Sequence, residues 1–368
     1  GGRPRERLTF GHLTVSPQGD RVAFTCTSLR FKGLFLMNTS GKVLKWLCKG
    51  DDHLYMGDPV FSPDGRQVAF FASTRDTYWN LYLMDLGSGA VRRLTFTPYL
   101  DSNPAFSSDG KRLYFVRHKN VYRGDGVLFD RGDIYNLDLG SGAEHRVTHQ
   151  EHTSLRTLHI LPDGKSAIVK LKTTEYRKQG QSLWKVNLDQ PQQMQPVNLG
   201  LSDFSEDPRT EGSDFVDDKN AKYGFRIDNF KFIEIENPAL SRDGRYLAFT
   251  WSNPEVPSSL ASYQLYVTDL QENETNKITN MKYGAYVKSI SPKGNQIWFA
   301  TLRSHLDFGE AFFRHSHLWR INRDGTGLTH LSLDFRGVAD QKPLFSRKEY
   351  EKLDPKGKIP EKIKEDLP

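Results

Sequence analysis

The sequence predicts an all-β chain folded as a six-bladed β-propeller of four-stranded antiparallel blades. Three observations predict it: a tight-turn signature that returns six times, a third-strand pattern in step with it, and a fourth-strand pattern that closes most units.

The turn comes first. It reads Ser16-Pro17-Gln18-Gly19, Ser62-Pro63-Asp64-Gly65, Ser107-Ser108-Asp109-Gly110, Leu161-Pro162-Asp163-Gly164, Ser241-Arg242-Asp243-Gly244 and Ser291-Pro292-Lys293-Gly294. The glycines are 46, 45, 54, 80 and 50 residues apart, which fits a unit of about 45 residues with insertions. Proline presets φ at the second turn position, and glycine accepts the positive φ that closes the turn. Apolar runs flank it: Pro59-Val60-Phe61 and Pro104-Ala105-Phe106 before, Val68-Ala69-Phe70, Leu113-Tyr114-Phe115, Leu247-Ala248-Phe249 and Ile297-Trp298-Phe299 after. These are the first and second strands.

The third strands open Leu34-Phe35, Leu81-Tyr82, Ile134-Tyr135, Leu183-Trp184, Leu265-Tyr266 and Leu318-Trp319. Each has Asp or Asn at its fifth position: Asn38, Asp85, Asp138, Asn187, Asp269 and Asn322. Polar turns such as Gly87-Ser88-Gly89 follow, then fourth strands such as Arg93-Leu94-Thr95, Arg146-Val147-Thr148 and Lys277-Ile278-Thr279. The blades are expected at 11–50, 58–96, 103–149, 154–199, 237–280 and 285–332, within a propeller of residues 1–346. Segments 6–9 and 342–346 read as a fourth and a first strand that help close the ring. Residues 347–368, rich in Lys and Glu with Pro355 and Pro360, read as a mobile or partner-bound C-terminal extension.

Taken together, these repeats resemble the TolB-type propeller repeat, also described as WD-like, over residues 6–346. The Gly-His and Trp-Asp pairs of the true WD repeat are absent. The resemblance implies a periplasmic or extracellular location in a bacterial envelope. TolB proteins carry a separate α/β domain ahead of the propeller, and none is expected here. The repeat identifies a fold and leaves the reaction open, because propellers host binding proteins, lyases and protease gates.

Composition narrows the classes further. Among 368 residues, 51 Lys and Arg face 45 Asp and Glu, for a net charge of +6, with 37% hydrophobic and 12% aromatic residues. This excludes collagen and wholesale disorder. No apolar run approaches the ~18 residues of a spanning helix. Two cysteines, Cys26 and Cys48, are too few for a disulfide scaffold. The opening Gly-Gly-Arg-Pro shows neither an initiator Met nor a signal peptide, so a processed product is expected. Lys and Arg are spread among acidic residues, which supports weak attraction to anionic surfaces and no specific nucleic-acid partner.

Strand order sorts the connections. Turns between strands one and two, and three and four, share one face; they are short. The insertions, at 73–80, 118–131, 173–181, 199–237, 251–262 and 301–316, all fall on the other face. Loops on one face of a rigid scaffold commonly carry binding. The residues expected to bind a protein or peptide partner there are Arg75, Tyr78, Trp79, Tyr122, Arg123, Tyr176, Arg177, Asp207, Asp214, Phe312, Phe313 and Arg314, types enriched at recognition hot spots or, for the two Asp, part of an acidic loop. Packing of loops against blade tops is the plainer reading of any single aromatic. The acidic loop holds Asp203, Glu206, Asp207, Glu211, Asp214, Asp217 and Asp218 against Arg209, and either covers a basic mouth or receives a basic partner. Its likeness to a calcium loop fails at Pro208, where an EF-hand needs Gly.

No Gly-x-Ser-x-Gly elbow, P-loop, His-Glu-x-x-His or paired Cys-x-x-Cys occurs. His53, His118, His149, His152, His305 and His315 fall on the insertion face and could converge on the axis, while polar loops collect histidines anyway. Arg123-Gly124-Asp125 and Arg131-Gly132-Asp133 both spell Arg-Gly-Asp. The second leads into a core strand, so Asp133 reads as structural. The sequence reading is therefore a non-catalytic scaffold or subunit, with no cofactor or metal. The alternatives are a polysaccharide lyase or hydrolase-like enzyme with a His/Arg site at the axial mouth, or the gating propeller of a peptidase.

Overall fold

The computed structural model describes residues 8–74, 78–123, 126–151, 155–171, 183–200, 235–252, 263–281, 284–303 and 315–353. They form six four-stranded antiparallel sheets, each made of four consecutive strands. Blade 1 is β1 (Thr9–Val15), β2 (Arg21–Thr27), β3 (Lys32–Asn38) and β4 (Val43–Lys49). Blade 2 is β5 (Leu54–Phe61), β6 (Gln67–Thr74), β7 (Asn80–Asp85) and β8 (Val91–Arg93). Blade 3 is β9 (Leu100–Phe106), β10 (Arg112–Arg123), β11 (Gly126–Asp138) and β12 (Glu144–Arg146). Blade 4 is β13 (Arg156–Ile160), β14 (Ser166–Lys170), β15 (Leu183–Asn187) and β16 (Met194–Pro196). Blade 5 is β17 (Ile235–Leu240), β18 (Tyr246–Ser252), β19 (Tyr263–Asp269) and β20 (Glu274–Lys277). Blade 6 is β21 (Ala285–Ile290), β22 (Gln296–Arg303), β23 (His315–Asn322) and β24 (Thr329–Leu331). First strands touch in ring order, β1 to β5 to β9 to β13 to β17 to β21 and back to β1.

The repeated polar residues each hold a turn. Ser62 Oγ donates to Asp64 Oδ1 at 2.6 Å and accepts from Gln67 N at 2.9 Å, while Gly65 N reaches Ser62 O at 2.8 Å. Ser107 and Ser241 make the same bonds with Asp109 and Asp243. Gly65 needs its glycine, because φ there is 71°. At the end of the third strand, Asp85 Oδ1 accepts from Gly87 N and Ser88 N, and Asp138 Oδ1 from Gly140 N and Ser141 N. These are side chains standing in for backbone acceptors. The threonines expected in the fourth strands lie two residues past their ends and do likewise: Thr95, Thr148 and Thr279 Oγ1 accept from Leu81, Ile134 and Leu265 N at 2.9–3.0 Å.

The core lies between blades. Ala69, Phe71, Leu81 and Leu83 of blade 2 pack on Leu113, Phe115 and Leu137 of blade 3, and each of the other blade pairs has its own cluster. A middle strand therefore buries both faces. That is why β2, β6 and β22 read as near-continuous apolar runs rather than alternating ones.

Ring closure uses both termini, at different places. Ser316 N donates to Leu8 O at 3.1 Å, and Phe10 N to Ser316 Oγ at 2.9 Å, which ties β1 to blade 6. The C-terminal segment runs beside β4, the outermost strand of blade 1, with parallel bridges from Asp334 to Lys42, just ahead of the strand, and from Phe345 to Cys48 within it. Segment 342–346 thus lies on an outer edge instead of opening a new unit, and it covers the unpaired groups of an edge strand. Beyond it, Arg347–Leu353 form helix α1, begun by Ser346, whose N and Oγ both bond Glu349. Tyr350 is buried against Tyr82 and Phe345. The start of the expected extension is therefore docked on the rim, because its apolar side chains have a groove between blades 1 and 2 to fill.

A second difference concerns the expected loop at 118–131. Its backbone continues the blade: β10 and β11 stay paired from Arg112/Asp138 out to Arg123/Gly126, with one irregularity at His118/Lys119. Both free cysteines are buried.

Candidate functional site

Every first strand interrupts its ladder at the same height. Register shifts fall between Phe10 and Leu13, Gly57 and Val60, Arg156 and Leu158, Glu236 and Ala239, Val287 and Ser289, and opposite Tyr114/Val116 in β9. A bulge adds a residue without a ladder partner and re-aims its side chain. The residues so placed are His12, Asp58, Asn103, Thr157, Asn237 and Lys288. Asp58, Asn103, Thr157 and Asn237 have φ between 48° and 62°, a left-handed conformation that costs a non-glycine residue about 1–2 kcal/mol.

These bulges line a cavity of about 770 Å³ bounded by all six first strands, the axial channel of the ring. Its polar groups are held across blade boundaries. Asp58 takes His12 Nε2 at 3.1 Å through Oδ1 and Asn103 N at 2.9 Å through Oδ2. His159 Nε2 lies 3.0 Å from Pro238 O, and Lys170 Nζ 3.1 Å from Glu236 Oε2. Val287 N donates to Thr250 Oγ1 at 2.8 Å.

One wall is aromatic. His12 meets Phe71 edge-on, and Trp79 stacks on Phe71 with centroids 4.3 Å apart and planes 3° from parallel. The Trp79 backbone bridges Leu100, the first residue of β9 in the next blade, and its side chain lines the same cavity.

His118 sits in the channel wall behind this group. Burial lowers its pKa to about 4 and Arg156 adds to the effect, while a bond with the Leu155 backbone opposes them. Its ring fills the space beside Gly132, where a Cβ would stand 2.6 Å from Cδ2. Flanking it, Lys119 and Arg131 each reach Glu151 at 3.0 Å, and these two cations hold that carboxyl down to about 2. Behind it, Arg117 forks onto Asp101 at 2.7 and 2.9 Å and reaches Glu144 at 2.8 Å. Burial pulls the Arg117 pKa down, but Asp101 and then Glu144 more than offset this and hold it protonated.

Of the residues expected to bind a partner, Tyr78 is 39% exposed and Trp79 half-buried on the channel wall. Tyr122 and Arg123 belong to strand β10 rather than to a loop, and their side chains lie outside the described residues. Arg75, Tyr176, Arg177, Asp207, Asp214, Phe312, Phe313 and Arg314 also lie outside them. Among the candidate histidines, His118 reaches the channel, His53 and His149 are exposed on loops, and His152, His305 and the His315 side chain lie outside the described residues. Asp133 is structural: buried, it accepts Arg146 and Thr148, both at 2.6 Å. Sequence reasoning missed His12, Asp58, Asn103, Thr157, Asn237, His159 and Lys288. The signal was present, since Asp58-Pro59, Asn103-Pro104 and Asn237-Pro238 all stand four residues before the turn serine.

The fold and this channel define a closed six-bladed propeller with a polar axial site. The chain belongs to the TolB beta propeller domain family, whose match covers residues 13–208. A curated relative, the uncharacterized peptidase YuxL of Bacillus subtilis, is 37% identical over 73 residues, 20% of this chain and 10% of that protein. A TolB homolog of Chlorobium luteolum is 28% identical over 128 residues, 35% of this chain and 26% of that protein. The chain thus spans a minor part of the curated relatives it matches. Among solved structures, TolB from Acinetobacter baumannii aligns with a TM-score of 0.50 and 18% identity, over 90% of this chain and 64% of that one. Oligogalacturonate lyase from Vibrio parahaemolyticus aligns with a TM-score of 0.55 and 11% identity, over 92% of this chain and 84% of that one. Likenesses at these identities are likenesses of fold.

Proposed function

We propose that this protein is a non-catalytic propeller that binds a protein or peptide partner at the insertion-face mouth of its axial channel, as a scaffold or subunit of a bacterial envelope or extracellular assembly. One observation carries the reading: the Trp79–Phe71–His12 aromatic wall opens beside a ring of polar bulges on a rigid frame. Flat aromatic surface next to preorganised polar groups is the composition of a recognition hot spot. Family membership supports it, and the location is carried over from TolB by resemblance.

The second reading is an enzyme on acidic polysaccharide, for which His12, His118 and His159 on the channel wall speak.

The test is capture from native envelope extract, followed by mass spectrometry, with wild type and a Tyr78→Ser/Trp79→Ala variant. The variant is expected to lose the partner that wild type retains, with a melting temperature within a few degrees of wild type. Undiminished capture, or cleavage of an acidic polysaccharide by the wild type, overturns the proposal.

A further inference from the structure

Among the described residues, the channel lining carries more cations than carboxylates. It holds Arg156, Lys170, Arg242 and Lys288 against two carboxylates, Asp58 and Glu236. Both carboxylates are occupied: Asp58 by His12 and the Asn103 amide, Glu236 by Lys170. Among the described residues, no carboxylate forms an ion pair with Lys288.

Lys288 is also in an unusual place. It stands in the blade 6 bulge, between Val287 and Ser289, where the ladder slips and the side chain is half-buried on the cavity wall. Burial lowers the pKa of its ammonium. A cation removed from water without a counterion is held at a cost that an incoming anion would relieve. Across the cavity, Asn103 and Ser102 add neutral polar groups.

We propose that Lys288 anchors a carboxylate of the ligand, and that the segment entering the channel is an acidic peptide. This rests on the partner-binding reading above and names the chemistry of that same site. A peptide is favoured over other polyanions by the walls themselves. Each first strand is the inner edge of its sheet; among the described residues Trp79 bridges β9 at Leu100 and side chains take up the Phe10, Asn103 and Val287 amides, and other backbone groups of these edges are left for a ligand. An extended peptide carries matching groups at every residue. A volume of about 770 Å³ is of the size that admits a short segment and excludes a folded domain.

Calorimetric titration of the full chain with an oligoglutamate peptide tests this, with oligoglutamine and trigalacturonate as parallel probes. Wild type should bind oligoglutamate and not oligoglutamine. Lys288→Met should weaken oligoglutamate by about tenfold or more, the worth of one charged contact, and Lys288→Arg should restore most of it. If Lys288→Met does not fold, Lys288→Gln serves in its place. Equal binding of the glutamate and glutamine peptides, or Lys288→Met binding like wild type, overturns the proposal. Lys288-dependent binding of trigalacturonate without oligoglutamate overturns it in favour of a sugar acid. Partner capture separates the two readings. Loss of capture by the Tyr78/Trp79 variant with full capture by Lys288→Met leaves the binding mouth standing and removes the anion anchor. If no variant alters capture, the mouth itself is wrong.

Discussion

Arg117→Met should be among the most damaging single substitutions in the protein. Arg117 is 9% exposed and Asp101 is fully buried, so the guanidinium is the counterion of a carboxylate with no access to water. Glu144, at 28% exposure, can rehydrate when the arginine is gone; Asp101 cannot. Removing one partner of such a pair costs about 3–5 kcal/mol. At about 2 cal/mol/K of unfolding entropy per residue, a chain of 368 residues turns a 4 kcal/mol loss into a fall of roughly 5 °C in melting temperature. Urea titration followed by tryptophan fluorescence, with a thermal scan in parallel, measures both. The control is the double variant Arg117→Met/Asp101→Asn, which removes the stranded charge and should recover at least half of the loss. A single-variant loss under about 1 kcal/mol, or a double variant as unstable as the sum of the singles, would refute the assignment of a buried, tightly coupled pair.

Two further outcomes follow from the channel. His118 binds its proton near the ordinary imidazole value of 6.5 in the unfolded chain, but only near 4 in the folded protein, where burial disfavours the charged ring. The unfolded state therefore holds more protons across that window, and stability should fall as pH drops from 6.5 to 4, by on the order of 2–3 kcal/mol. A stability–pH series in which His118→Gln keeps the full wild-type slope would contradict this. At the bulge, Asn237 has φ 48°, so Asn237→Gly should be nearly neutral while Asn237→Val should lose about 1–2 kcal/mol in the same urea assay. Equal effects would mean that the left-handed turn is not imposed by the ring.

The repeat was legible because it is local. Ser62, Asp64, Gly65 and Gln67 bond within one turn, and Asp85 caps a turn two and three residues away. Short-range chemistry of this kind leaves a fixed spacing that can be read along the chain. Trp79 could be singled out from its type and its place after the second strand, but its partner Phe71 and its bridge to Leu100 could not. The outer hairpin of β10 and β11 reads as a loop in the sequence because it lacks the apolar alternation of a buried strand beyond Arg117. Polar residues pair as readily once a hairpin has begun.

Spacing along the chain fixes the unit: the turns, the order of the strands, the residues that close each ladder, and hence six blades. The channel was decided only in three dimensions. Asp58 meets Asn103 across 45 residues, His159 meets Pro238 across 79, and Lys288 lines the same cavity as both carboxylate pairs with no ion pair of its own among the described residues. Those relations depend on how many blades share the circle and on a bulge at one height in each. The physical reason is that a chain encodes neighbours by spacing, whereas closure of a ring brings together residues that no spacing relates.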